Sequence, residues 1–307
     1  EQQRHRRDGG ARKNPIATVI RPRRAQQIAL FMLVLVGDLL TGAGAQALQT
    51  VRLPTALCRD GGLFADGIES GPVYSPDAST GAGVVIPGNQ QRQVLVSSSL
   101  RTYYLRVPPL YRADRPVPVV ILLHGATGSS ATTPDAAQDL RDLFSASADR
   151  AGVLLVAPPA SGNSGGWEPS VDFPFIEAIL DDLELAVVLD RQRRSLWGFS
   201  AGGHVAHGLA LWNSDVFAAY AVKAGVLEAY AGTTAPAAAT REVPLQSRIG
   251  VSDPLRPFAQ DDVLRFLNAG WQVDDTLQYQ EVSGGHTYSS ADANAALPWL
   301  CRWAVRP

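Results

Sequence analysis

The chain has 307 residues, 46% of them hydrophobic and 18% charged, which excludes disorder over most of its length and allows one large core or two small ones. Its formal net charge is −2, and the basic residues are crowded at the N-terminus, so the remainder offers no electrostatic footprint for nucleic acid.

Residues 1–47 place eight basic side chains, from Arg4 to Arg24, before the apolar run IALFMLVLVGDLL and the small-residue stretch TGAGAQA. That order predicts a secretory signal cut after Ala47, since Ala45 and Ala47 satisfy the small-residue rule. Asp38 interrupts the apolar run and the basic segment is long, so a basic tail leading into a buried helix is the alternative. The run is too short to span a bilayer comfortably, and no cysteine lies near Ala47 to take a lipid, so no stable membrane anchor is expected. Three acidic residues share the segment, giving it a net +5, and cleavage leaves a body of net −7 in a secreted or periplasmic setting. The two cysteines, Cys58 and Cys301, either bridge there or remain as buried thiols; neither has a second ligand at zinc-site spacing.

Residues 48–92, rich in Gly, Pro, Ser and Asp, predict an irregular lead-in. The catalytic domain is expected over 93–307. QVLVSSSLRTYYLRV reads as an antiparallel hairpin, and VPVVILLHG as a strand buried on both faces. A helix follows over 135–150, then the strand GVLLVAPP, a helix over 173–189, and the strand RSLWGFS. Next come the helix AGGHVAHGLALW, the strand FAAYAVKAG, a loop over 227–240, the segment VPLQSRIGVSD, a helix over 258–269, the strand TLQYQEV, and a last helix toward Trp303. This alternation predicts an α/β fold with a mainly parallel sheet covered by helices on both faces, in one domain.

GFSAGG sits where a buried strand hands over to a helix, the setting in which Gly-x-Ser-x-Gly becomes a nucleophile elbow with Ser200 at its apex. The helix starting at Ala201 would aim free N–H groups at a developing oxyanion. A serine needs a base. Of five histidines, His5 lies in the signal segment, His204 and His207 fall on the helix body, and His124 ends an early strand where a structural role in its loop is expected. His286, in GGHTY directly after the last strand, remains. Asp253, in GVSDPL at the carboxyl end of a strand, is the orienting acid, whereas Asp261, Asp262, Asp274 and Asp275 read as capping or solvated charges. The order Ser200, Asp253, His286 is that of α/β-hydrolases.

Taken together, RTYYLRVPP, PVVILLHGATGS, GVLLVAPP, GFSAGG, GVSDP and GGHTY make the chain from about Arg101 to Trp303 resemble the extracellular esterase family of polyhydroxybutyrate depolymerases, feruloyl esterases and LpqC-like proteins. The resemblance implies an α/β-hydrolase fold, the same triad, and an oxyanion hole built from the amides of Ala126 and Ala201. Ile249-Gly250 stands where that family often has His-Gly, and Tyr288 where it often has Trp after Gly-His-x; both lie near the acyl or alcohol pocket. Trp167, on a loop after a strand, either lines the cleft or packs beneath it. The expected reaction is hydrolysis of a small-molecule or oligomeric carboxylic ester, with no metal or organic cofactor. A serine peptidase, an acyltransferase and a non-catalytic secreted binding protein are the alternatives. Because the sequence given stops at Pro307 with no separate module for gripping a solid, short-chain or aryl esters are expected to be cleaved faster than crystalline polyester. Nothing in the sequence sets an oligomeric state.

Overall fold

The computed structural model describes residues 47–53, 58, 76–82 and 85–306. The signal expected over 1–47 lies, apart from Ala47, outside the described residues.

Strand β4 (Val117–Leu123) shows why the sheet forms. All seven of its residues are buried, and they alternate between two cores. Val119, Ile121 and Leu123 face one side with helices α2 (Pro169–Ala186) and α3 (Ala201–Trp212); Val120 and Leu122 face α1 (Thr133–Ala151) and α6 (Ser290–Leu300). A continuous apolar run is the mark of a strand covered on both faces. Around it the sheet runs β2 (Gly88–Val96), β3 (Ser99–Val107), β5 (Leu154–Ala157), β4, β6 (Leu189–Phe199), β7 (Ala219–Lys223), β8 (Leu245–Gly250), β9 (Leu277–Val282). Pairing is antiparallel at the β2–β3–β5 edge and parallel from β5 onward. A four-residue helix, α4 (Ala235–Ala238), and α5 (Arg256–Asn268) complete the chain order before β9.

Helix α4 falls inside the stretch 227–240 expected as a loop, α2 begins and ends a few residues before the expected 173–189, and further segments differ from the sequence expectation. Gln49–Arg52, inside the lead-in read as irregular, forms β1, and it pairs antiparallel with β10 (Trp303–Arg306), which takes the chain beyond the last helix. The hairpin opens at Gly88 rather than Gln93. Strand β6 starts at Leu189 and so includes the charged stretch DRQRR. Charges in a strand read as a loop, but here each is compensated: Arg193, 3% exposed, pairs with Asp190 at 2.6 Å, and Arg191 and Arg194 both reach Glu184 of α2. The Cys58–Cys301 disulfide, with Cα atoms 4.9 Å apart, ties the lead-in to the end of α6.

Candidate active site

The turn from β6 to α3 is a single residue. Ser200 has φ 50° and ψ −118°, in the half of the backbone map that a side chain normally avoids. Its N–H donates to Lys223 O at 3.0 Å, and its C=O accepts from His204 N–H at 2.9 Å. Two glycines allow this turn. A Cβ on Gly198 would lie 2.3 Å from Gly202 O, and one on Gly202 would lie 2.1 Å from Leu123 O. Strand, helix and the end of β4 therefore touch backbone to backbone, and the serine is left as the only side chain at the apex.

His286 reaches this apex from the loop after β9. Its Nε2 is 2.8 Å from Ser200 Oγ and its Nδ1 is 2.9 Å from Asp253 Oδ2. A carboxylate only accepts, so Nδ1 carries the proton and Nε2 presents its lone pair to the serine hydroxyl. Asp253 is buried, and its other oxygen accepts the Leu255 N–H at 2.9 Å. The His286 loop is pinned at both ends. Ser252 N–H donates to Gly284 O at 3.0 Å, a contact that a side chain at Gly250 would block, since its Cβ would lie 2.4 Å from Gly285 O. At the other end Ser289 and Asp292 form a reciprocal capping box on α6.

The loop after β4 lies on the elbow. A Cβ on Gly125 would sit 2.8 Å from the Phe199 ring and 3.4 Å from Ser200 Cβ, so the residue before Ala126 packs directly against the elbow. Among the described residues neither Ala126 N–H nor Ala201 N–H has a backbone acceptor. The loop is braced from below. His124 Nε2 accepts the Ala160 N–H at 3.1 Å, so Nδ1–H donates to Gly125 O at 2.7 Å; burial pushes this imidazole's pKa down and favours the neutral ring. Trp167 Nε1–H donates to His124 O at 2.8 Å, its ring half-buried against the core. Thr127 and Ser130 N–H groups donate to Gly165 O and Asn163 O.

Sequence reasoning missed the residue that holds this brace. Asp172, fully buried in the first turn of α2, accepts from the N–H groups of Ser161 and Glu168 and pairs with Arg101 at 2.8 Å. A lone acid within the apolar PSVDFPF stretch was the available signal. The remaining candidates are placed as follows. Tyr288 is half-buried, its ring 4.7 Å from Phe199 and 5.8 Å from Trp197, on the α6 side of the sheet. His204 Nδ1 accepts the Val226 N–H at 3.0 Å, and His207 is buried against Tyr220 Oη. Asp262, read as a capping or solvated charge, is buried, accepts the Leu227 N–H, and has its pKa raised by that burial. Among the described residues no group of three or more His, Cys, Asp or Glu could hold a metal ion, and no helix is long and apolar enough to cross a membrane.

No family profile matches the chain. It is similar to an esterase named NocK from Nocardia uniformis subsp. tsuyamanensis, 32% identical over 179 residues, covering 54% of this chain and 49% of that protein. It is also similar to a feruloyl esterase C from Aspergillus niger, 29% identical over 163 residues, covering 52% of this chain and 57% of that one. The chain thus spans about half the length of the curated relatives it matches. Among solved structures, a ferulic acid esterase superposes over 71% of this chain and 99% of its own with a TM-score of 0.54 at 18% identity. The fold is that of the α/β-hydrolase esterases.

Proposed function

We propose that this relative of NocK and the feruloyl esterases C, with its α/β-hydrolase fold, is a serine esterase working through an acyl-enzyme, with Ser200, His286 and Asp253 as its triad. The observation that carries the reading is the hydrogen-bond chain Ser200–His286–Asp253 at the apex of a strained turn. Ser200 Oγ attacks the ester carbonyl as His286 Nε2 takes its proton. Asp253 holds the Nδ1–H tautomer and offsets the imidazolium charge. The amides of Ala126 and Ala201 stabilise the oxyanion, acting before any reorganisation because the brace through His124, Trp167 and Asp172 holds the loop in place. His286 then returns the proton to the leaving alkoxide, and water, deprotonated by the same nitrogen, releases the acid.

The substrates proposed are small carboxylic esters, short-chain or aryl, and the fungal relatives' name adds feruloyl esters to that set. The disulfide supports an oxidising compartment, hence a secreted or periplasmic protein. The test is labelling by an alkyl fluorophosphonate, followed by turnover on matched ester and amide panels. Labelling at Ser200 with ester turnover is expected. Labelling with amide turnover alone would make the chain a peptidase, acyl transfer to an alcohol in preference to water would make it an acyltransferase, and no labelling would leave a binding protein on this fold.

A further inference from the structure

Helix α3 carries a polar side chain that the mechanism above does not use. Every residue from Gly202 to Leu211 is buried except His204, which is half-buried. His204 follows Ser200 by four positions and its backbone N–H donates to Ser200 O at 2.9 Å, so the two stand on one helix face, and a helical side chain leans toward the N-terminus. In the other direction that face is closed: Gly208, four positions further on, lies under the Tyr230 ring, where an added Cβ would come 2.7 Å from Cε1. The flank is closed too, since a Cβ on Gly203 would lie 2.9 Å from Gly225 Cα. The open surface of His204 is therefore at the Ser200 end, as a wall of the cleft above the serine.

One ring nitrogen is committed and the other is free. Nδ1 accepts the Val226 N–H at 3.0 Å; two N–H groups cannot face each other, so the neutral ring carries its proton on Nε2. Burial lowers the His204 pKa and the nearby His286 acts in the same direction, which keeps the ring neutral. Among the described residues Nε2–H has no acceptor, and unlike Nε2 of His207, which is sealed in the core, it keeps contact with solvent. Its neighbour Val226 packs in an apolar cluster with Phe199 and Leu255. A single oriented donor in an otherwise apolar wall is the arrangement that recognises one oxygen on a hydrocarbon chain.

We propose that His204 is a specificity-determining residue: its Nε2–H donates a hydrogen bond to an acceptor oxygen, ether or hydroxyl, carried on the acyl or the alcohol part of the ester a few bonds from the carbonyl. This rests on the esterase reading of the site. His204 takes no part in proton transfer and acts only on substrates that carry the oxygen.

The experiment compares kcat/KM for chain-matched esters, each normalised to its alkaline hydrolysis rate to remove the inductive effect of the oxygen. On the acyl side, p-nitrophenyl methoxyacetate and 3-methoxypropanoate are set against the butyrate and pentanoate; on the alcohol side, 2-methoxyethyl acetate is set against butyl acetate. Wild-type protein favours the oxygen-bearing member of at least one pair by about five- to tenfold, the worth of one hydrogen bond, and the pair that shows it tells which part of the ester is read. His204→Asn, whose amide reaches only as far as Nδ1, keeps a partner for Val226 and loses the donor, so the preference disappears; His204→Gln, whose amide reaches Nε2, retains it. A preference that His204→Asn leaves unchanged overturns the inference, including when the variant is less stable, since that outcome marks a purely structural histidine. Where His204→Asn does not fold, the wild-type ratios decide, and the absence of a preference in all the pairs overturns the inference. Wild-type protein that neither turns over any of these esters nor labels with fluorophosphonate fails the esterase reading instead.

Discussion

Gly202→Ala tests the elbow most sharply, because the substitution adds one methyl group at the point where three backbone segments meet. The new Cβ would lie 2.1 Å from Leu123 O, 2.5 Å from Leu123 C and 2.6 Å from His124 O. None of these is the movable end of a side chain. Restoring ordinary contact requires α3 and the end of β4 to part by about 1.3 Å, in a core packed as densely as an organic crystal. Overpacking of this kind costs about 1–3 kcal/mol, and with backbone on both sides the upper end is expected. The same displacement separates Ala201 from Ala126, the two proposed oxyanion donors. A misplacement of about 1 Å costs on the order of 100-fold in rate, beyond any loss of folded protein. The assay is paired: urea unfolding followed by intrinsic fluorescence, and ester turnover normalised to folded protein. A variant with an unchanged unfolding midpoint and turnover within tenfold of wild type would refute the packing argument and the placement of the oxyanion hole together.

Three further outcomes are expected. Ser200→Ala and His286→Ala each lower kcat on the order of 10⁴-fold with circular dichroism unchanged, and Asp253→Asn is also strongly impaired because it favours the wrong tautomer; residual activity within tenfold of wild type would remove that residue from the triad. Replacing Cys58 and Cys301 by alanine opens a link across 243 residues and lowers unfolding free energy by about 2–5 kcal/mol; an unshifted urea midpoint would contradict this. Burial pushes the His207 pKa down to about 3, so the unfolded chain takes up a proton there below about pH 6.5 that the folded chain does not. Its contribution to stability is complete above that pH and falls by about 1.4 kcal/mol per unit as pH drops toward 3. His207→Asn flattens the decline in urea midpoint between pH 6 and 4, and parallel curves for the two proteins would contradict the assignment.

Much of the site was legible because its signals are local. A glycine on each side of Ser200 is a statement about backbone approach, and the structure returns it as the 2.3 Å and 2.1 Å positions at Gly198 and Gly202. The face alternation of the buried strands and the placement of Ser200, Asp253 and His286 at strand ends follow from periodicity and chain order, and the three side chains meet in space. What tertiary structure alone decided are partnerships between residues far apart in sequence. Asp172 carries no signal of its role until Ser161, Glu168 and Arg101 close around it. Gln49–Arg52 becomes a strand only when Trp303–Arg306 arrives to pair with it. Backbone sterics and apolar periodicity act over a few residues and are written into the chain, whereas the cost of burying a charge depends on which distant groups the fold brings to it.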